Sequence, residues 1–173
     1  MQTDHVKRGP GDEPKKQFCT FWLASHLYGV DILDVKEVNP EPGFTDVFHA
    51  PREVHGFVNI RGQIHLILNL RRILGLKEKP VDDKSRLVLF KPVVGESFGV
   101  LVDMIGDVVE VAESLIEAGD LADAEPLSGS GGDDKSEPMA LISAVCRLKT
   151  SLLLIINARA LLKCVDRSLA ARV

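Results

Sequence analysis

The 173-residue chain has few of the residues from which metal and redox sites are built. Cys19, Cys146 and Cys164 lie far apart with no Cys-x-x-Cys spacing, and none of the five histidines has a second histidine four residues away or a neighbouring cysteine. Zinc requires clustered thiolate and imidazole ligands. The sequence therefore predicts no metal site, and we expect the cysteines to be reduced thiols of the core.

The sequence patterns of common enzymes are missing as well. The chain has no Gly-x-Ser-x-Gly elbow, no phosphate-binding loop, no Gly-x-Gly-x-x-Gly after a strand and no His-Glu-x-x-His helix. The glycines at 129–132 lack the Lys-Ser/Thr that completes a phosphate loop. These absences predict a protein with no catalytic residues and no cofactor.

Long hydrophobic runs and clustered basic residues are also lacking. The longest apolar run, residues 151–157, is far shorter than the ~20 residues that span a bilayer, and the N-terminus has no apolar signal segment. The net charge of −4 has no basic stripe with which to bind phosphates. We therefore expect a cytoplasmic protein that neither binds nucleic acid nor inserts into a membrane.

The composition changes along the chain and predicts one domain between two tails, with an insert in the domain. Residues 1–16 carry no hydrophobic period and are predicted to form a disordered tail, residues 17–165 one domain, and residues 166–173 a second tail. Residues 119–138 are rich in Gly, Ser and Asp and are predicted to form a flexible insert.

Turn residues divide the domain into candidate elements. Hairpins are predicted for residues 18–24 with 28–33 and for residues 86–92 with 97–104. Strands are predicted at 47–50, 106–111, 139–148 and 152–156, and residues 35–38 are either helical or extended. A closing helix is expected at 157–163.

Two distant segments of the chain resemble one another. Residues 64–74 and 152–162 each consist of an apolar strand, an Asn, an Arg two positions later and an apolar pair. Asn69 and Asn157 are suited to cap the helix that follows, because their side-chain oxygens accept an unpaired N–H of the first turn. The repeat suggests two similar β-rich lobes, and many short strands favour small barrels over a doubly wound sheet. Chance similarity of two apolar strands remains the alternative.

The most informative segment is residues 56–75, which predicts a strand, an Arg-Gly turn, a second strand and a short helix ended by a glycine. Arg61 stands alone at the turn, and Gly62 allows a positive φ there. Its guanidinium could bind a partner's carboxylate, or it could pair within the chain with Glu37 or Asp103. Asp103 and Asp107 could form a carboxylate pair, but nothing completes an acid–base or metal site, so a structural role in a turn is favoured.

Segments 28–38, 56–75, 99–108 and 152–162, in this order, resemble CheW-like domains, the bacterial chemotaxis adaptors, and the resemblance extends over residues 17–165. It implies a mainly β fold of two intertwined five-stranded SH3-like β-barrels around a shared core, with short helices. Leu66 and Asn69 stand where the family usually has Pro and often Asp, and the 119–138 insert is longer than the usual connection. Both substitutions are compatible with the fold.

The resemblance implies a non-enzymatic coupling protein, located at receptor arrays, that links the tip of methyl-accepting chemotaxis receptors to the regulatory domain of a CheA-type histidine kinase. It assigns no residues to the kinase contact. An alternative is a specialised scaffold of a twitching-motility, localisation or other chemosensory system that does not activate a kinase. A small enzyme using Arg61, Asp103 and Asp107 is a further alternative. The residues that match the family's receptor-contacting positions are Val35, Glu37, Val38, His55, Gly56, Asn59, Arg61 and Gly62.

Overall fold

The structure, a computed structural model, describes residues 13–41, 43–119 and 141–170. Within these ranges the chain is mainly β, with two single 3-10 turns and two α-helices. The strands are β1 (Lys15–Leu23), β2 (His26–Asp31), β3 (Val35–Pro40), β4 (Val54–Ile60), β5 (Gln63–Asn69), β6 (Arg86–Phe90), β7 (Phe98–Val102), β8 (Met104–Ala112), β9 (Ile116–Ala118), β10 (Ile142–Arg147) and β11 (Leu152–Ile156); the helices are α1 (Leu70–Ile73) and α2 (Ala158–Ala170).

The strands form two sheets, as the prediction of two β lobes requires. Sheet I has the order β8-β1-β2-β11-β10-β9 and sheet II the order β3-β6-β7-β5-β4. Sheet II has the predicted number of strands, whereas sheet I has six in the described part of the chain. The hairpins β1–β2 and β6–β7 are antiparallel, as expected, and β5–β7 and β11–β2 are parallel.

Three clusters of buried side chains hold the sheets in place. The largest draws on both sheets and both helices, with Phe21 and Tyr28 from sheet I and Leu68 and Val100 from sheet II. Two smaller clusters are confined to one sheet each, because alternate strand residues face opposite sides. Burial of each large side chain stabilises the fold by about 1.5–3 kcal/mol. The shared core between two β lobes is therefore confirmed.

The two repeated segments adopt the same local structure. β5 leads into α1 and β11 leads into α2. Asn69 Oδ1 accepts a hydrogen bond from Arg72 N at 3.2 Å, and Asn157 Oδ1 accepts one from Arg159 N at 3.1 Å. Each Asn therefore caps the helix that follows its strand, at the predicted position.

Three local predictions need correction. Residues 47–50 form a turn, closed by a bond from Ala50 N to Val47 O at 3.2 Å. β1 begins at Lys15, because Lys15 pairs with Ala112 of β8, so the ordered domain starts before the predicted residue 17. The closing helix α2 continues to Ala170 and includes residues assigned to a C-terminal tail. The remainder of the predicted N-terminal tail and the 119–138 insert lie almost wholly outside the described residues, so this division of the chain stays a prediction.

Candidate docking site

Within the described part of the chain, sheet II does not close into a barrel, but side chains bridge its two ends. β3 and β4 lie at opposite ends of the strand order, yet Arg61, in the turn after β4, approaches Glu37 of β3, with 3.2 Å between Nη1 and Oε2. Lys36 Nζ also donates to Gln63 Oε1 at 3.0 Å. We call this contact of Lys36, Glu37, Arg61 and Gln63 the seam. It brings residues from two separate segments of the chain into one surface.

The turn at the seam has a tightly defined backbone. Arg61 has φ 51° and Gly62 has φ 83°, which is typical of the two-residue turns whose twist matches a β-hairpin. Asn59 Oδ1 accepts a hydrogen bond from Gly62 N at 2.8 Å. Asn59 therefore stabilises the turn, and an arginine is held in a conformation that non-glycine residues seldom adopt.

Arg61 is exposed although it is paired. Its side chain is 79% exposed, whereas that of Glu37 is 22% exposed. An ion pair of this kind stabilises a fold by about 1 kcal/mol at most, because solvent screens it. The pair can orient the guanidinium while leaving most of it accessible to a carboxylate or carbonyl of a partner.

Apolar side chains are partly exposed on the strands that carry the seam residues. Val38 is partly exposed on β3, and Val35 is half-buried against the shared core. On the other side Ile64 is 53% exposed and lies opposite Asn59, and Phe57 is also exposed. Sequence reasoning missed Ile64 and Phe57, because alternation in a strand identifies one face of the sheet but not where the core ends along it.

His65 is a buried titratable group behind the seam. It is 2% exposed and pairs with Val58 across the β4–β5 hairpin. Burial, and secondarily Lys36, lowers the pKa of its imidazole, while Glu37 acts in the opposite direction. A neutral histidine therefore lies inside sheet II beside the charged groups of β3.

His55 and Gly56 lie at the other end of β4. Gly56 and Arg61 are five positions apart, a distance of roughly 17 Å along a strand that rises ~3.4 Å per residue. A Cβ on Gly56 would lie 2.7 Å from Thr45 O, so the glycine permits the preceding loop to pack on the strand. His55 contacts the Phe44 ring, with 4.0 Å between the ring centroids. Burial is the main cause that lowers the pKa of His55, and the positive charge of Arg72 is the second. The structure thus does not bring these two residues to the seam.

The cavity beside His55 is a separate feature. It has a volume of about 270 Å³ and is lined by side chains that include Phe44, Asp46, Val54 and Arg72. Arg72 is engaged with Glu78 at 2.7 Å and with the carbonyl of Arg52 at 3.0 Å. His55 therefore belongs to the packing of the loop before β4.

Asp103 and Asp107 do not form a chemical pair. Asp103 accepts hydrogen bonds from Arg71 at 2.7 and 2.5 Å and from Ala24 N at 2.9 Å. Asp107 is exposed, and its backbone carbonyl accepts a bond from the Thr20 hydroxyl at 2.5 Å. The described residues contain no group of three or more potential metal ligands. The favoured structural role of Asp103 agrees with these contacts, and of the two predicted partners of Arg61 it is Glu37 that pairs.

Comparison with known proteins gives consistent matches. A family model described as CheW-like domain matches residues 17–165. The chain is 27% identical over 160 residues to chemotaxis protein CheW of Treponema pallidum, covering 90% of this chain and 88% of that protein. It is 28% identical over 112 residues to chemotaxis protein CheW of Klebsiella aerogenes, covering 64% of this chain and 66% of that protein.

A solved structure extends the similarity to the fold. The crystal structure of scaffolding protein TtCheW from Thermoanaerobacter tengcongensis matches with a TM-score of 0.71 at 25% identity and covers 86% of this chain and 92% of that one.

Neither described helix has the length and apolar character needed to cross a membrane.

Proposed function

The chain belongs to the CheW-like domain family and is a coupling adaptor of chemotaxis signalling, and we propose that it links receptor tips to a histidine kinase. The partners in this proposal are the cytoplasmic tip of methyl-accepting receptors and the regulatory domain of a CheA-type kinase. The protein acts without catalysis, in receptor arrays on the inner face of the membrane.

The seam is the observation that supports the proposal. It presents an exposed arginine on a constrained turn, and the sequence neighbours of Glu37 and Gln63, which are Val38 and Ile64, are partly exposed as well. A helical hairpin with an apolar stripe could lie against the aliphatic side chains, while Arg61 and Glu37 fix its register at the rim. Charged groups at an interface rim contribute mainly to specificity and association rate.

The docking residues in this proposal are Val35, Glu37, Val38, Asn59, Arg61 and Gly62, with Ile64 added from the structure. His55 and Gly56 act indirectly, by holding the loop before β4 in place. Small contacts of this kind bind weakly one by one and gain strength when they are repeated in an array. Signal transfer is then a change in the populations of receptor–kinase arrangements.

The test is phosphorylation of the cognate kinase in receptor-containing membranes, with and without this protein. We expect stimulation by the wild type, loss of stimulation with Arg61→Ala, and retention with Arg147→Ala, which removes an exposed arginine from β10 of sheet I. Receptor binding without stimulation would contradict the coupling role and indicate a scaffold. Stimulation that survives Arg61→Ala would remove the seam from the site.

A further inference from the structure

Three separate parts of the chain meet at one end of the strands of sheet II. Val35 of β3 pairs with Phe90 at the end of β6, and Leu66 of β5 pairs with Phe98 at the start of β7. Because pairing aligns the ends of neighbouring strands, the β4–β5 turn, the β6–β7 loop and the residues before β3 lie at the same end. We call this surface the turn end of sheet II, and it comprises residues 32–34, 61–64 and 91–97.

Hydrogen bonds connect the three segments of the turn end. Gln63 of the seam donates from Nε2 to Ser97 Oγ at 3.2 Å, which joins the β4–β5 turn to the β6–β7 loop. Lys91 N donates to Asp34 O at 2.9 Å, which joins that loop to the residues before β3. The seam is thereby linked to both neighbouring segments.

Arg159 of α2 contacts the two segments that lie beyond the seam. Its Nη1 donates to the carbonyl of Val93 at 2.9 Å, and its Nη2 lies 3.9 Å from Asp34 Oδ1. The Arg159 side chain is nevertheless 56% exposed. In the internal repeat it corresponds to Arg71, whose side chain is 12% exposed. The same position therefore serves the interior in one lobe and leaves much of a guanidinium accessible in the other.

Apolar side chains are exposed on all three segments. Leu33, just before β3, is 71% exposed, Val93 is 61% exposed and Ile64 is 53% exposed. Single exposed apolar residues are common on protein surfaces, but a group of them on connected segments is typical of an interaction site. Arg61 and Arg159 add two accessible guanidinium groups to this surface.

We infer that the docking surface extends from the seam to Leu33, Val93 and Arg159, and that its occupant is the helical receptor tip. The inference rests on the proposed function and adds the chemistry of the partner. That partner is an amphipathic helix whose apolar stripe covers Leu33, Val93 and Ile64, with carboxylates beside the stripe.

The charges at the turn end favour carboxylates on the partner. Arg61 and Arg159 are accessible, whereas the carboxylates that they approach, those of Glu37 and Asp34, are each only 22% exposed. Glu96 of the β6–β7 loop is an exposed anion, so the surface is mixed but presents both guanidinium groups. Guanidinium groups bind carboxylates with directed hydrogen bonds, and opposite charges across an interface fix its orientation.

The test is the affinity of the full chain for a receptor cytoplasmic fragment, measured by calorimetry. We expect Leu33→Ser, Val93→Ser and Arg159→Ala each to weaken binding about three- to tenfold. Arg159→Ala should also lower the dependence of the affinity on salt, because a charged contact is removed. Leu33→Ser should leave that dependence unchanged, which separates the loss of a charge from a general loosening of the surface.

Two variants on sheet I are matched controls. Leu115→Ser removes an apolar side chain that is 58% exposed between β8 and β9, and Arg147→Ala removes an exposed arginine from β10. Both should bind the receptor fragment as the wild type does. A loss of affinity in these controls equal to that in Leu33→Ser and Arg159→Ala would count against a surface confined to the turn end.

The outcomes separate this inference from the proposed function. Normal receptor binding by Leu33→Ser and Val93→Ser, with weaker binding by Arg61→Ala, would overturn the extension and leave the seam as the docking site. Loss of binding to the kinase regulatory domain in the same two variants, with receptor binding unchanged, would assign the turn end to the kinase and overturn the inference as well. A wild-type chain that does not bind the receptor fragment would refute both.

Discussion

Two arginine–carboxylate pairs, one between α1 and the β7–β8 link and one at the seam, have the same chemistry and different environments. In the Arg71–Asp103 pair the side chains are 12% and 16% exposed, and Asp103 also accepts a hydrogen bond from Ala24 N in the β1–β2 turn. In the Arg61–Glu37 pair the arginine is 79% exposed and a single contact of 3.2 Å joins the two groups. The first pair joins the two lobes, whereas the second presents a cation to solvent.

The difference shows why residue type alone did not identify the site. Arg71 also donates to the carbonyl of Lys77, so its guanidinium is used within the fold and has little capacity for a partner. Most of the Arg61 guanidinium remains accessible. An arginine is available for recognition when its own protein leaves its donors unused, and that depends on burial and on the number of neighbours.

Removing Arg71 should have the largest effect. Arg71→Ala leaves Asp103 largely buried and without its cation, and we expect a loss of roughly 3 kcal/mol in the free energy of unfolding. Urea denaturation monitored by circular dichroism measures this loss. Arg147→Ala is the control, since its pair with Glu117 is long, at 3.9 Å, and exposed; it should cost less than about 0.5 kcal/mol. Equal costs in the two variants would remove the contrast between the pairs.

Removing Arg61 should affect binding and spare stability. Arg61→Ala should weaken receptor binding by ~1–3 kcal/mol, as expected for a charge-assisted contact at an interface, with a change of less than about 0.5 kcal/mol in unfolding free energy. Calorimetry with a receptor fragment gives the first quantity and denaturation the second. Early melting with normal binding would show that Arg61 has the same structural role as Arg71.

The glycines at the two ends of β4 extend the comparison. Gly56→Ala places a Cβ 2.7 Å from the backbone of Thr45 at a residue that also has a positive φ, 155°, and we expect a loss of roughly 1–3 kcal/mol in stability from overpacking and backbone strain. A Cβ on Gly62 would meet no atom within 4 Å, so Gly62→Ala should cost only the about 1 kcal/mol of a positive φ. Thermal unfolding of both variants tests this order. A larger cost for Gly62→Ala would mean that the turn is packed more closely than the structure indicates.

Acid should also reduce the stability that the Arg71–Asp103 pair contributes, by less than the loss expected for Arg71→Ala. Burial by itself would raise the pKa of Asp103, but the hydrogen bonds from Arg71 and from Ala24 N outweigh it, so the pKa is lowered. The stabilisation is therefore complete above the unfolded-state pKa of ~4 and is lost as the pH falls through the folded-state value. Between pH 6 and 3 the unfolding free energy should change less in Asp103→Asn than in the wild type. The difference between the two changes should be less than about 1 kcal/mol. An unchanged pH dependence in that variant would show that other carboxylates account for the acid sensitivity.

Much of the secondary structure followed from local patterns. The 56–75 segment forms the predicted strand, Arg-Gly turn, strand and short helix, because apolar alternation, a glycine at a positive φ and an Asn cap act within a few residues of one another. The 47–50 segment was mistaken for a strand because its apolar residues contact the core from a turn. The length of α2 was underestimated although no Gly or Pro follows Lys163 to end the helix there.

Local sequence patterns predicted most of the strands, the capped strand–helix unit that both lobes repeat, and the lone arginine on a hairpin turn. These features depend on interactions between residues close in the chain. The folded structure was needed to show that β3 and the β4–β5 turn meet at a seam, that Glu37 rather than Asp103 pairs with Arg61, and that His55 and Gly56 lie elsewhere. Those outcomes depend on how far a sheet curls and on which side chains the shared core buries, and both are set by contacts between residues far apart in the chain.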